Sequence, residues 1–190
     1  MNTAGPVRLL QLSRPDQVPP GLRDQLADCW AEVSDHGGAV GFLPPADRVL
    51  VAEAVTRLLA DLDLVRCRVV YAVAEEPRPG AGRPEGILAG WLAVRRDTSP
   101  LIAHWGTVQY VQVHPAFGGR GVGSALMRRV RQVAREEMGL EQLRLALRSG
   151  RGLEHFYGRL GWRVVGGWPG ALRVAPGEDR DEILMLLAPL

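Results

Sequence analysis

Four glycines fall within six residues, Gly118, Gly119, Gly121 and Gly123, between a strand-like run and a helix-like one. A turn of this composition can aim several backbone N–H groups inward without Cβ clashes, at the positive end of the helix that begins near Gly121. Such a turn is suited to an anion, and to a pyrophosphate in particular. Val111 and Val113 alternate with Gln112 as a strand does, and Pro115, which cannot donate to a ladder, closes that strand.

Glycine turns serve several ligands, and the flanking residues separate them. A Walker loop needs Gly-Lys-Ser/Thr after its second glycine, but Gly123 is followed by Ser124 with no Lys before it. A dinucleotide fingerprint counted from Gly121 and Gly123 wants a third glycine at Leu126, and the acidic ribose partner about twenty residues on is not evident. A tight turn with no ligand is the remaining structural alternative.

The segment resembles motif A of the GNAT superfamily of acyl-CoA-dependent N-acetyltransferases, Gln/Arg-x-x-Gly-x-Gly/Ala, through Arg120, Gly121, Val122 and Gly123; Gly118 stands at the opening Gln/Arg position. The likeness continues through Leu143 to Leu147, a fifth strand. It runs on into Gly152-Leu-Glu-His-Phe-Tyr157-Gly-Arg-Leu-Gly161-Trp162, similar to the family's A-x-x-x-Tyr-x-x-x-Gly-Phe helix and turn. The resemblance implies an α/β (α+β) GNAT fold over residues 1–190, with a mixed sheet of about seven strands and about four helices. It implies acetyl-CoA as cosubstrate, no metal, and transfer of the acetyl group to a primary amine of a small molecule by direct attack.

The same resemblance assigns roles. The pantetheine arm would lie along Val111, Gln112 and Val113, with the Val111 N–H at the thioester carbonyl. Gly118, Gly119, Arg120, Gly121, Val122, Gly123 and Ser124 would hold the phosphates, and the Tyr157 phenol would protonate the departing thiolate. Packing alone is the other reading of Tyr157. Many relatives carry a basic Glu on the fourth strand; that position is Thr107, and no carboxylate lies between Asp97 and Glu136. A water held by Thr107 or Gln109 could relay the amine proton, and His104 or His36 could serve if the fold brings either to the cleft.

Two further stretches, Asp35-His36-Gly-Gly-Ala-Val-Gly-Phe-Leu43 and Gly167-Trp168-Pro-Gly-Ala-Leu-Arg173, resemble the tabtoxin-resistance type of small-molecule acetyltransferase. By that likeness His36, Gly38, Phe42 and Trp168 line the acceptor pocket. Gly118 and Thr107 motivate an alternative, a non-catalytic acyl-CoA sensor, and a protein N-acetyltransferase is a third reading. The resemblance leaves room for a homodimer.

Composition narrows the field. All 23 basic residues are Arg, with no Lys, so a lysine Schiff base and autoacetylation on a lysine side chain are excluded; GC-rich coding is the plain explanation. A formal charge of +2 is too small for nonspecific nucleic-acid binding, and Arg128, Arg129, Arg131 and Arg135 are followed by Glu136 and Glu137, as on a solvated helix face. Cys29 and Cys67 form no C-x-x-C, and the four His show no metal-ligand spacing. No apolar run is long enough for a bilayer, and Met-Asn-Thr-Ala-Gly-Pro-Val is unlike a leader, so the expectation is a cytoplasmic protein.

The elements that must position these residues follow from periodicity. Strands are expected at 7–12, 66–74, 86–94, 105–113, 143–147, 162–168 and 182–188, the last two joined by a Gly/Pro-rich loop. Helices are expected at 22–33 with Leu22, Leu26, Cys29, Trp30 and Val33 inward, at 47–62, and from Gly121 with Val122, Leu126, Val130 and Val133 inward. A fourth helix starts near Gly152, and 77–84 reads as a hairpin loop.

Overall fold

The computed structural model describes residues 7–74 and 86–190, so the expected hairpin loop at 77–84 lies outside the described residues. Seven strands form one sheet: β1 (Val7–Leu12), β2 (Cys67–Ala74), β3 (Ile87–Arg96), β4 (Trp105–Val113), β5 (Gln142–Arg148), β6 (Arg163–Ala175) and β7 (Glu178–Leu187). Their order across the sheet is β1-β2-β3-β4-β5-β7-β6. The β4–β5 pair is parallel and the others are antiparallel.

Every residue of β2 is buried, which requires cover on both sheet faces. Period two sends Val70 and Ala72 to one face and Val69, Tyr71 and Val73 to the other. The first face packs against α3 (Val122–Gln132) and α4 (Leu153–Gly158) through Leu126, Val130 and Tyr157. The second packs against α1 (Leu22–Asp35) and α2 (Arg48–Ala60) through Leu26, Trp30, Val51 and Val55. Asp47 caps α2 by accepting from Val49 N (2.9 Å) and Leu50 N (3.2 Å).

α3 does not stop at Gln132; it passes into a π-helical turn, Val133–Glu137. The turn delivers Glu137 to Arg68 and Arg129, tying the end of the central helix to β2. Burial would raise the Glu137 carboxyl, but hydrogen bonds from Gln11 and Arg68 and the charges of Arg68 and Arg129 outweigh it and lower its pKa.

The last two strands depart from expectation. Instead of a long loop, β6 runs to Ala175 and β7 starts at Glu178, so only Pro176 and Gly177 turn the chain, Gly177 at φ +76°. The Gly/Pro stretch around Pro169 lies inside β6, absorbed where its register with β7 shifts between Trp168 and Leu172. β6 is an edge strand paired on one side only, where a proline and irregular register disrupt least.

Candidate active site

One residue too many in β4 creates the site. Trp91 pairs with Gln112 and Ala93 with Gln109, so Tyr110 and Val111 share the space opposite the single residue Leu92. Tyr110 takes the bulge at φ +55°, the one positive φ at a non-glycine among the described residues, at a cost of roughly 1–3 kcal/mol. Aromatic packing repays that strain. Tyr110 sits 4.5 Å from Trp30, ring centre to ring centre, and 6.0 Å from Trp91.

The bulge also separates β4 from its parallel neighbour. The two strands pair only at Trp105–Gln142, Gly106–Leu143 and Thr107–Arg144. Beyond Thr107 they splay. The His114 N–H donates to the Ala89 carbonyl (3.0 Å), so strand alternation turns the N–H and C=O of Val113, and of Val111 before it, away from β3. Those groups face the opening that β5 leaves, where an extended ligand could pair with them.

Three cavities occupy this opening and share walls. The first, about 320 Å³, lies on the glycine turn between Val113 and Phe156. Gly119 (φ +72°) and Gly121 (φ +80°) adopt left-handed backbone that a Cβ would strain. A Cβ on Gly123 would meet Phe156 Cζ at 3.3 Å and Val113 Cγ2 at 3.4 Å, narrowing the hollow from its floor. The second cavity, about 170 Å³, runs past Val111 to Tyr157. The third, about 610 Å³, is walled by Phe42, Thr107, Gln109, Tyr110, Ala146 and Leu172. Val111 borders the first and second cavities; Val40, Gln109 and Tyr110 border the second and third. An anion cradle, a narrow passage and an acceptor-sized cavity thus stand in sequence.

Tyr157 is 6 % exposed and held edge-on by Phe156 (4.9 Å) and Trp162 (6.1 Å). Burial pushes its phenol up to about 12. The Gln109 Oε1 is buried without a hydrogen-bond partner among the described residues, at the border of passage and acceptor cavity. A buried acceptor atom without a partner, on a side chain that borders a cavity, is suited to an N–H or a water once the side chain turns toward it. Trp30 fixes the opposite wall: its Nε1–H donates to the Val40 carbonyl (2.7 Å) and its ring meets Phe42 edge-on at 5.2 Å.

The residues expected from the sequence divide accordingly. Val111, Val113, Gly118, Gly119, Gly121, Val122, Gly123 and Ser124 line the cradle. Arg120 stands outside its lining, with its guanidinium 5.6 Å above the Phe117 ring. The Gln112 side chain, 1 % exposed and paired with Trp91, is buried inside the sheet and lines none of the three cavities. Gly38 borders the passage and Phe42 the acceptor cavity. His36 is exposed, its Nδ1 2.8 Å from the Glu32 carbonyl, and Trp168 is 66 % exposed on the edge strand; neither lines the cavities. Thr107 does line the acceptor cavity, but its Oγ1 already accepts from Arg144 Nε (2.9 Å).

Two wall residues went unread in the sequence, Tyr110 and Arg148. Nothing in Val-Gln-Tyr-Val-Gln marks a bulge, because the alternation looks unbroken on either register. A charge at the end of an apolar strand, as at Arg148, was the available signal.

A family model described as an acetyltransferase (GNAT) domain matches residues 67–164, which carry β2 to β5, the glycine turn and α4. No curated protein matches. Among solved structures, a GCN5-related N-acetyltransferase from Kribbella flavida shares 19 % identity over 96 % of this chain and 98 % of its own, with a TM-score of 0.69. The Salmonella typhimurium protein yncA, solved with its cofactor acetyl-CoA, shares 18 % identity over 95 % of this chain and 94 % of its own (TM-score 0.68). Nourseothricin acetyltransferase shares 24 % identity over 67 % of this chain and 68 % of its own (TM-score 0.54).

Proposed function

The chain belongs to the GNAT family of acetyltransferases, and we propose that it transfers the acetyl group of acetyl-CoA to a primary amine of a small molecule by direct attack. One observation carries this reading: along the β4–β5 splay a glycine-turn hollow, a Tyr-lined passage and a larger cavity lie side by side with shared wall residues. Acetyl-CoA supplies a pyrophosphate and, about a pantetheine length away, a thioester. The N–H groups of the glycine turn and the α3 N-terminus receive the phosphates, while the outward backbone of Val113 and Val111 holds the pantetheine arm. The Val111 N–H then polarises the acyl carbonyl.

The acceptor amine enters from the larger cavity between Phe42 and Tyr110, hydrogen-bonded to Gln109 Oε1 directly or through a water. Its proton passes to water and out to solvent, since the amide cannot take it, and solvent returns one to Tyr157 after turnover. With Thr107 occupied by Arg144, Gln109 is the better placed of the two. On the far side Tyr157 donates its phenolic proton to the departing sulfur. A phenol near 12 remains protonated throughout the working range. Burial at the same place would also raise a neighbouring thiolate's proton affinity, which favours the transfer.

A cavity of about 610 Å³ suits a small molecule, which favours that acceptor over a protein amine. The test is thiol release from acetyl-CoA with a panel of small amines. Amine-dependent release with an N-acetyl product in the mass spectrum is expected. Stoichiometric CoA binding without turnover on any amine would instead establish a sensor, and no CoA binding would end both readings.

A further inference from the structure

Behind the acceptor cavity lies a fourth hollow of about 280 Å³, and its charge is lopsided. Among the described residues Arg148, Arg151 and Arg180 line it with a single carboxylate, Glu178, which is paired to Arg180. Arg148 is half-buried at the end of β5. Its Nη2 donates to the Gly37 carbonyl (3.0 Å), which fixes the guanidinium but adds no counter-charge. Burial, then the charges of Arg151 and Arg180, lower its hold on its proton, against a weaker opposite pull from Glu178. Like charges gathered in a partly dry hollow repel unless an anion joins them.

The hollow adjoins the acceptor cavity, since Leu43, Arg148 and Val174 border both. The remaining charges of the larger cavity leave the imbalance in place. Arg173 is neutralised by two bonds to Asp179 (2.8 and 3.0 Å), and Glu182, opposite Arg148 in the β5–β7 register, forms no ion pair with it among the described residues. Even with Glu182 counted beside Glu178, the three arginines outnumber the carboxylates. Guanidinium forks match the oxygens of a carboxylate or a phosphonate.

Resting on the acetyltransferase reading, we propose that the acceptor is an amine that also bears an oxyanion, a carboxylate or phosphonate, seated on Arg148, Arg151 and Arg180 while its amino group reaches Gln109. The arginines bind the end of the acceptor that does not react, and so select it. The same guanidinium chemistry would suit a cofactor phosphate, which the experiment separates.

Thiol release is measured for amino acids and aminoalkyl phosphonates against the matching carboxamides and plain alkylamines. The acidic members are expected to have at least a ten-fold higher kcat/KM, lost roughly 10- to 100-fold in Arg151→Gln/Arg180→Gln with the KM for acetyl-CoA unchanged. Amides that react as well as acids overturn the proposal. So does a KM rise in the variant with acetyl-CoA but not with its 3′-dephospho analogue, which would assign the arginines to the cofactor. If no amine of any class releases thiol, the acetyltransferase reading fails, and the anion site is judged by binding alone. Inorganic phosphate, added with CoA present, should then raise the melting temperature of wild type more than that of Arg148→Gln/Arg151→Gln; equal shifts overturn it.

Discussion

Tyr157 carries a sharp test because its ring and its hydroxyl do different things. The ring packs against Phe156 and Trp162, whereas the hydroxyl points to no protein partner among the described residues. Tyr157→Phe should therefore keep the melting temperature and the affinity for acetyl-CoA while lowering kcat about ten-fold or more. Stability falling together with activity would mark a packing role instead. Because burial holds the phenol near 12, the rate should climb with pH as the acceptor amine loses its proton, and show no falling limb from this residue below about pH 11. A descending limb centred below pH 10 that vanishes in Tyr157→Phe would contradict that environment. Gly123→Val tests the cradle: the added atoms meet Phe156 and Val113, and CoA affinity measured by calorimetry should fall at least ten-fold in a variant that still folds.

At the scale of elements, the glycine turn, β4, β5 and α4 were legible in the sequence because each is local. Glycine composition announces a turn, β-branched alternation a strand, and i, i+4 spacing a helix. What crosses between strands was not. The bulge at Tyr110, the long β6–β7 hairpin and the gathering of Arg148, Arg151 and Arg180 depend on register, which residue types alone do not set where one strand end is irregular. For the same reason Trp168, which the family resemblance groups with the acceptor pocket as part of a loop, stands on the outer edge within β6. The π-helical turn after α3 was also invisible, although it has an energetic consequence. Glu137 neutralises Arg68, which is only 5 % exposed, and removing that partner from a charge so placed should cost about 2 kcal/mol, discounted for the partial exposure of Glu137. Its carboxyl pKa is lowered in the fold, so its stabilisation is full above about pH 4.5 and fades as pH falls through the folded value. Urea titrations at pH 7 should find Glu137→Gln less stable than wild type, and the gap should narrow below pH 4.5.

For the whole molecule, the two-layer core determines how the protein meets alkali and thiol reagents. Burial, aided by Glu32, raises the Cys29 thiol to about 12, and burial raises Cys67 as well. Groups whose pKa is raised in the fold stabilise it below their unfolded values and lose that contribution as pH climbs through the folded ones. For Cys29 the window is about pH 9 to 12 and for Tyr157 about pH 10 to 12, with each group adding a slope near 1.4 kcal/mol per pH unit inside its own window. Urea midpoints should decline over that range, and less steeply in Cys29→Ala. Below pH 9 neither thiol should react with an aromatic disulfide reagent until the chain unfolds, and rapid labelling of the native protein would contradict the burial. The protein then adds no background to its own thiol-release assay.

The three residue pairs that join β4 to β5 also divide the sheet mechanically. On one side β1 to β4 form a continuous block, broken in register only at Ala72/Val73 and at the Tyr110 bulge; on the other, β5, β7 and β6 form a smaller leaf, joined to the block at one end and unpaired with it at the other. A ligand strand laid into the splay would act as a rivet, closing the free end with hydrogen bonds the protein does not make by itself. Amide exchange should thus be faster in β5 and β7 than in β2 and β3, and CoA should slow it most in the leaf, including in β7, which does not border the splay.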